Sequence, residues 1–209
     1  KTTIIDKVEA DDIIAVLSEK LVEKFNSTVF IVSSDKDFVQ LVTDKIILYR
    51  PMEKEYYNSA TVLEKFGVLS KNFIIYKTLL GDNSDKIPGV KGLGEKGIFK
   101  KFPELATQVL TLEDIFDIST RKFKEHVVYS RIVHDRVKLE NSYKIMDLSK
   151  PMVDAEQIEY LDYVIDQEFP ELQPKLFVQI YNEDKLGGMI RNLEIWLNDK
   201  FSHFKGYKN

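Results

Sequence analysis

Residues 28–49 read T-V-F-I-V-S-S-D-K-D-F-V-Q-L-V-T-D-K-I-I-L-Y, and this stretch decides the fold class. Its first part, 28–32, is a continuous β-branched and aromatic run, which predicts a strand buried on both faces. An apolar stretch with helical spacing follows at 38–42, and a second strand-like run follows at 46–49. Because a helix between two such strands is the usual connection of a parallel sheet, the stretch predicts an α/β unit.

The same alternation continues toward the N-terminus, and the chain becomes helical after residue 59. Residues 2–5 are predicted as a strand and 10–25 as a helix. One more strand is predicted at 144–148. Prolines such as Pro170 separate the last helices. The further predicted helices are 60–66, 71–80, 94–102, 112–118, 121–139, 158–165, 172–181 and 188–201. We therefore expect an α/β domain with a mainly parallel sheet and flanking helices at 1–80, a helical subdomain at 81–140 and a C-terminal helical region at 141–209.

Composition limits the kinds of site that the chain can build. The 209 residues are 44% apolar and 31% charged, without a run long enough to span a bilayer, so we expect a cytoplasmic protein that does not bind membranes. With no cysteine and three histidines, carboxylates are the plentiful metal ligands. Any metal should therefore be a hard cation, Mg²⁺ or Mn²⁺.

Charge is segregated along the chain, although the net charge is only −4. Residues 86–102 hold five lysines against Glu95, and 121–138 hold six basic residues against two acids. Residues 154–171 hold seven acids and no base. One part of the surface can therefore meet phosphates while another repels them.

Acidic side chains occur in three clusters, two of which follow predicted strands. They are Glu9, Asp11 and Asp12, then Asp35 and Asp37, then Asp82 and Asp85. Any one cluster alone is more simply explained as a helix cap or an Asx turn. Seven acids meeting in one crevice at the strand ends would instead require cations to neutralise them. Two divalent ions about 4 Å apart are a common arrangement for phosphodiester hydrolysis.

Three motifs in this order resemble those of the 5′ nuclease superfamily, the flap endonucleases and 5′-to-3′ exonucleases of DNA replication. They are V-E-A-D-D-I-I-A-V-L, I-V-S-S-D-K-D-F-V-Q-L and L-L-G-D-N-S-D-K-I-P-G-V-K-G-L-G. The likeness is greatest to the phage members called ribonuclease H, and it is dense from residue 4 to residue 102. The resemblance implies a PIN-like nuclease fold and hydrolysis at a 5′ end or 5′ flap with two Mg²⁺ or Mn²⁺ ions.

The resemblance also implies roles for individual residues. Glu9, Asp11, Asp35 and Asp37 match catalytic acids, and the implied metal ligands are these four together with Asp12, Asp82 and Asp85. The implied substrates are DNA with a 5′ flap, a nick or a branch, and RNA–DNA hybrids, because phage members of this kind remove RNA primers. A single-strand-binding protein and a sliding clamp are implied partners, and the location is the host cytoplasm if a phage encodes the chain.

The glycine- and lysine-rich segment 86–102 resembles the helix-hairpin-helix element with which the family grips duplex DNA. Its glycines allow the backbone to approach a phosphate closely, and its lysines can pair phosphates without reading sequence. The implied DNA-binding residues are Lys86, Lys91, Gly92, Gly94, Lys96, Lys100 and Lys101. Main-chain carbonyls of Gly89, Val90 and Leu93 match the positions that hold K⁺ in the family.

Some family features are not found in this sequence. A first strand ending in an essential Asp, a second acid and a basic arch precede E-A-D-D in the family, and none of them precedes it here. We therefore expect the isolated chain to cleave poorly. Either the chain is truncated, or a separate chain supplies the N-terminal strands. A degenerate binding protein is a less favoured explanation. The competing functions are a non-catalytic module that binds duplex or branched DNA and, more remotely, a nucleotide-binding turn.

Overall fold

The computed structural model describes residues 1–168 and 173–201, which form two compact units. The larger unit is Ile4–Ile165, and the smaller comprises Lys1–Thr3 and the described residues from Asp166 onward. Pro170 and the start of the helix predicted at Leu172 lie outside the described residues. No helix in the described ranges is both long and apolar enough to cross a membrane.

The first part of the larger unit has the α/β arrangement expected from the sequence. Helix α1 (Ala10–Phe25) precedes strand β1 (Val29–Val32), a 3-10 helix (Asp37–Leu41), strand β2 (Ile46–Arg50) and strand β3 (Glu55–Tyr57). Strands β1 and β2 pair in parallel, and β3 adds to β2 in the antiparallel sense. The fold class is therefore confirmed, with a small sheet that has one parallel and one antiparallel pairing.

The two faces of this sheet differ in burial. Ile31 and Leu48 are buried in the core, whereas Phe30 and Val32 of β1 are 56% and 65% exposed. The expectation that the first strand is buried on both faces is therefore wrong for the described chain. The exposed face carries an edge-to-face contact between Phe30 and Tyr56, with ring centroids 6.1 Å apart.

Helices dominate the chain beyond β3. They are α2 (Ser59–Phe66), α3 (Phe73–Leu80), α4 (Glu95–Lys101), α5 (Leu112–Arg121), α6 (Val127–His134), α7 (Arg136–Met146) and α8 (Ala155–Asp166). Two short strands, β4 (Gly81–Asp82) and β5 (Ile87–Pro88), form an antiparallel pair between α3 and α4. The helix predicted at 121–139 is divided, because the chain turns after α5 and His126 caps α6 by accepting a hydrogen bond from the Val128 N–H at 3.1 Å.

Two predicted strands do not form. Residues 2–5 have no ladder partner, and the chain turns at Lys7, whose φ is 61°. Residues 144–148 continue α7 to Met146 instead. The amide of Gln40 donates to the Met146 carbonyl at 3.0 Å and accepts from the Leu148 N–H at 3.0 Å, so this backbone bonds to a side chain rather than to a strand.

Helix α3 lies at the centre of the larger unit. Every residue from Phe73 to Leu79 is buried, including Lys77 and Thr78. The preceding Asn72, which is fully buried, donates to the carbonyls of Leu105 and Gln108 at 2.8 Å and 2.7 Å. This central helix ends at the segment that carries Asp82.

The described part of the smaller unit contains two helices joined by a short 3-10 turn. They are α9 (Pro174–Glu183) and α10 (Leu193–Phe201). The buried Tyr181 hydroxyl donates to the Gly187 carbonyl at 2.8 Å and accepts from the Ile190 N–H at 2.9 Å. The Phe177 and Trp196 rings stack with centroids 6.2 Å apart, so aromatic contacts hold the two helices together.

Candidate metal centre and nucleic-acid interface

The loop after β1 is fixed by hydrogen bonds over a few residues. The Asp35 N–H donates to the Ser33 hydroxyl at 3.0 Å, and the Asp37 N–H donates to the Asp35 carboxylate at 2.9 Å. The second bond forms an Asx turn, a conformation that Asp favours. Asp35 and Asp37 are therefore held in a defined turn that leads into the 3-10 helix.

Arg50, the last residue of β2, supports this loop from the core. Its side chain is 5% exposed, and its guanidinium donates to the Ser34 carbonyl at 2.8 Å and to Glu53 at 2.5 Å. It also lies 5.7 Å from the centroid of the Tyr57 ring. Because a buried guanidinium is costly without partners, these contacts fix the loop that precedes Asp35.

The acids at the start of α1 lie close to the acids of this loop. Burial raises the pKa of Asp11, and the negative charges of Asp35, Asp37, Glu9 and Asp12 raise it further. Such interactions require the carboxylates to lie within electrostatic range of one another. Asp11 of the first cluster therefore lies in electrostatic range of Asp35 and Asp37 in the second.

The third cluster meets the second at Asp37. Carboxylate oxygens of Asp37, Asp82 and Asp85 all lie within 4.8 Å of one another. Asp37 and Asp82 are half-buried, and Asp85 is exposed. Three carboxylates, from the start of the 3-10 helix, from β4 and from the turn after β4, thus form an acidic group at one point on the surface.

Lys77 of α3 is the cation at this group. Its buried ammonium forms ion pairs with Asp37 and with Asp82, the second at 2.5 Å. Burial lowers the pKa of Lys77, but hydrogen bonds to the two carboxylates outweigh burial and raise it overall. Lys77 is therefore charged and partly neutralises the acids.

The two carboxylates that contact Lys77 have opposite pKa shifts. Burial raises the pKa of Asp37 and Lys77 lowers it, but burial together with the charges of Asp35 and Asp82 leaves the pKa raised overall. Burial also acts to raise the pKa of Asp82, but hydrogen bonds from Lys77 and Ser84 bring it well below its usual range. Asp82 is therefore firmly ionised, while Asp37 is the more readily protonated of the two carboxylates.

The donor set fits a hard divalent cation. Asp37, Asp82 and Asp85 offer carboxylate oxygens, the ligands that Mg²⁺ and Mn²⁺ prefer, and the position already attracts the ammonium of Lys77. The other predicted metal ligands, Glu9, Asp11, Asp12 and Asp35, do not join a group this compact among the described residues. Asp12 is 8% exposed, and Glu9 is exposed.

The β4–β5 turn is flanked by two glycines that pack against backbone, Gly81 at the start of β4 and Gly89 directly after β5. A Cβ on Gly89 would lie 2.1 Å from the Leu80 carbonyl oxygen, and a Cβ on Gly81 would lie 2.2 Å from the Gly89 nitrogen. Both distances are too short for any side chain. The glycines therefore allow the hairpin segment to pack directly on the end of α3, next to Asp82.

The loop from Gly89 to Gly94 follows this turn. The Val90 N–H donates to the Leu79 carbonyl at 2.8 Å, and the Leu93 N–H donates to the Val90 carbonyl at 3.0 Å. Gly92 has a φ of 80°, which favours glycine, and Gly94 is the N-cap of α4. The residues predicted to hold K⁺ thus lie in a hydrogen-bonded turn.

The lysines of the predicted DNA-binding set are available for a ligand. Lys86, Lys91, Lys96 and Lys100 are exposed, and Lys101 is half-buried. None of the five forms an ion pair within the described ranges. Their charge is therefore not neutralised by neighbouring acids, as a phosphate-binding surface requires.

Helix α3 contacts the acids and the hairpin helix through adjacent residues. Lys77 pairs with Asp37 and Asp82, while the Tyr76 hydroxyl donates to the Glu95 carboxylate at 2.9 Å. Glu95 is the first residue of α4. The acidic group and the predicted DNA-binding hairpin are thus connected through one buried helix.

Lys77 and Arg50 are the two site residues that sequence reasoning missed. Lys77 is the lone charge in F-I-I-Y-K-T-L-L, an apolar helix. Arg50 ends the strand-like run I-I-L-Y-R. Because a buried cation needs a partner, a basic residue in either apolar run indicates an acid or a carbonyl close to it. The sequence does not identify that partner.

The chain is similar to several known nucleases. Residues 1–67 match the family model of the 5′-3′ exonuclease N-terminal resolvase-like domain. A 5′-3′ exonuclease of Buchnera aphidicola (subsp. Schizaphis graminum) is 37% identical over 131 residues, which are 61% of this chain and 45% of the relative. Flap endonuclease Xni of Shewanella halifaxensis is 35% identical over 135 residues, 63% of this chain and 53% of the relative.

DNA polymerase I of Bacillus subtilis is 40% identical over 125 residues, 58% of this chain and 14% of that protein. The chain thus spans about half the length of the two nuclease relatives and a much smaller part of the polymerase.

Solved structures share the fold. T5 5′-exonuclease with zinc ions bound is 24% identical with a TM-score of 0.65, covering 78% of this chain and 61% of that one. The bacteriophage T5 flap endonuclease in a pseudo-enzyme–product complex with DNA and metal ions is 23% identical with a TM-score of 0.64, at the same coverage.

Proposed function

We propose that the chain is a structure-specific 5′ nuclease, since residues 1–67 match the 5′-3′ exonuclease family model and two nuclease relatives are 37% and 35% identical to it. It hydrolyses phosphodiesters near 5′ ends or at 5′ flaps during DNA replication, including those of RNA primers annealed to DNA. The observation that carries the proposal is the group of Asp37, Asp82 and Asp85, whose oxygens lie within 4.8 Å of one another. This group is connected through α3 to a hairpin whose lysines form no ion pair with any residue that the structure describes.

In this function the carboxylates hold two divalent ions, Mg²⁺ or Mn²⁺. Asp37, Asp82 and Asp85 hold one part of the centre, and Asp11 and Asp35 extend it toward α1 with Glu9 and Asp12 beside them. When bound, such ions activate water and stabilise the charge that develops on a phosphodiester under attack. Asp35 and Asp37 are the best candidates for direct catalytic roles, together with Glu9 and Asp11.

The chain's own residues orient this centre. The Asx turn and Arg50 fix the loop that carries Asp35 and Asp37. Lys77 pairs with Asp82 and with Asp37, which lies 40 residues before Lys77, so that both acids face the same point. The carboxylates are therefore already close together, although a metal would compete with Lys77 for them.

The hairpin from Lys86 to Phe102 holds the substrate in this proposal. Backbone amides near Gly92 and Gly94 and the side chains of Lys91, Lys96 and Lys100 bind phosphates of the duplex without reading its sequence. Carbonyls of Gly89, Val90 and Leu93 hold K⁺ at the same turn. A single-strand-binding protein and a sliding clamp remain predicted partners.

A specific observation also favours a second candidate, a DNA-binding module without catalysis. The pairing of Lys77 with Asp37 and Asp82 partly neutralises the acids without any metal. Such a module would keep the lysine hairpin and the fold while cleaving nothing. The two candidates differ in one measurable property, metal-dependent cleavage.

The test uses a 5′-flap DNA substrate with Mg²⁺. The chain is assayed alone and together with a polypeptide that supplies the rest of a relative's nuclease domain, since the chain spans only part of those relatives. We expect cleavage in at least the supplemented mixture, with the chain alone cleaving poorly, and we expect Asp35→Ala to abolish it. Asp117→Ala, an exposed acid on α5, is the matched control and should cleave like the unchanged chain. Binding without cleavage in every mixture would favour the non-catalytic module.

A further inference from the structure

The basic segment 121–138 follows the hairpin in sequence, and its residues have different surroundings. Arg136 is paired with Glu113 at 2.6 Å and with Glu140 at 2.9 Å, so its charge is neutralised within the fold. Lys122 forms no ion pair among the described residues. The sequence does not distinguish these two cations, whereas the structure shows that only Arg136 of the two is paired with acids among the described residues.

Lys122 lies against an aromatic ring that a second lysine shares. Its ammonium is 5.8 Å from the centroid of Tyr129, and the ammonium of Lys101 is 5.2 Å from the same centroid. Both are cation–π contacts. Two ammonium groups beside one ring repel each other, and the repulsion falls when an anion binds between or beside them.

Two carboxylates in range only partly offset this positive charge. After burial, the charges of Glu125 and Glu104 raise the pKa of Tyr129, so both acids act on the same ring. Neither forms an ion pair with Lys101 or Lys122 in the described part of the chain. The two ammonium groups therefore keep donors for an external acceptor.

Helix α6 is tied to the hairpin at two points. The Tyr129 hydroxyl donates to the Lys101 carbonyl at 3.3 Å, and the Tyr129 ring meets Phe102 edge to face at 5.8 Å. The guanidinium of Arg131 donates to the Lys91 carbonyl at 2.7 Å, beside Gly92. Lys122 and Lys101 thus belong to the same packed body as the glycine loop.

We propose that Lys122, together with Lys101 at the end of the hairpin and the ring of Tyr129, forms a second contact for the sugar–phosphate backbone of duplex DNA, apart from the contact at the glycine loop. The inference rests on the proposed function, since it assumes that the hairpin binds a duplex. Helix α4 separates the glycine loop from Lys101 and is about 10 Å long. The two contacts therefore reach phosphates about three base pairs apart along the duplex axis.

The test measures binding of the whole chain to a fluorescent DNA duplex between about 50 and 200 mM salt. We expect Lys122→Ala to weaken binding on the order of threefold to tenfold and to reduce the salt slope by about one. Lys122→Gln, which keeps most of the aliphatic stem, should have a similar effect. Arg136→Ala is the matched control: it removes a cation from the same segment, and its slope should equal that of the unchanged chain.

The outcomes separate this inference from the proposed function. If Lys96→Ala binds the duplex more weakly than the unchanged chain while both Lys122 variants bind it equally well, the proposed second contact does not exist and the hairpin proposal stands. If the unchanged chain binds no duplex at any salt concentration, both are wrong. Thermal melting of each variant shows whether it is folded. Two different Lys122 substitutions are used so that a loss of DNA affinity caused by the new side chain, and not by the missing charge, appears in only one of them.

Discussion

The ammonium of Lys77 lies between the carboxylates of Asp37 and Asp82, and it pairs with both. The three residues come from the loop after β1, from α3 and from the strand β4 that follows it. A buried lysine on an apolar helix thus brings two of the acidic motifs together. The same ammonium stands where a divalent cation would meet these carboxylates, so it both organises the group and competes with a metal for it.

Replacing Lys77 with methionine should destabilise the chain in the absence of divalent ions. Asp37 and Asp82 would lose their shared partner in a site where Lys77 is 10% exposed, which typically costs about 3–5 kcal/mol. Added Mg²⁺ should recover more stability in Lys77→Met than in the unchanged chain. Urea denaturation with and without Mg²⁺ measures both effects. Equal Mg²⁺ stabilisation of the two proteins would show that Lys77 and the metal do not share these acids.

Asp82 should make stability depend on acid pH. Its folded-state pKa is lowered below the ordinary value of 3.8, so its contribution is present above that value and is lost as the pH falls further through the folded pKa. Asp82→Asn should therefore be less stable near neutral pH, and its stability curve should converge with that of the unchanged chain as the acid range is entered. Urea midpoints at a series of pH values test this. A constant difference at every pH would contradict the assigned shift.

Gly89→Ala should disrupt the hairpin segment. The new Cβ would lie 2.1 Å from the Leu80 carbonyl oxygen, a clash that only backbone movement can relieve. We expect a loss of about 3 kcal/mol or more, because overpacking against backbone is strongly destabilising. Gly94→Ala is the control, since a Cβ there meets nothing within 4 Å, and it should cost less than about 1 kcal/mol. Similar melting temperatures for the two variants would contradict the close packing.

Arg50→Met should loosen the loop that carries Asp35. The Ser34 carbonyl would lose its buried donor, and the methionine could not replace the pairing with Glu53. We expect a destabilisation of about 2–4 kcal/mol, together with weaker metal-dependent cleavage. Glu53→Gln, which leaves the Ser34 contact in place, should change both quantities much less. Denaturation and flap cleavage measured on the same preparations would show whether loop position and activity change together.

The sequence predicted the α/β pattern and the acidic clusters because both depend on local features. Strand-like runs, helical spacing and Asp after a strand are visible within about ten residues. The strand predicted at 144–148 failed because Gln40, more than 100 residues away, binds that backbone through its side-chain amide. The exposure of Phe30 and Val32 likewise depends on which other elements cover the sheet. A local apolar run carries no information about those elements.

The site was predictable in residue type but not in geometry. The motifs indicated seven acids, and the structure brings Asp37, Asp82 and Asp85 into one compact group with Asp11 and Asp35 in electrostatic range. Lys77 was missed because its role exists only when residues 40 positions apart meet. Partners of a buried charge are set by tertiary packing, and single-sequence patterns do not specify them.

Calorimetric titration of the chain with Mn²⁺ tests the central claim most directly, namely that acids from separate motifs form one metal centre. We predict saturable binding that Asp85→Asn weakens at least about tenfold, a loss of about 1.4 kcal/mol in binding free energy. Asp85 is exposed, so its substitution should leave the fold intact, and Asp117→Asn should bind Mn²⁺ like the unchanged chain. Equal Mn²⁺ affinity in the unchanged chain and Asp85→Asn, or no binding by the unchanged chain, would contradict the account.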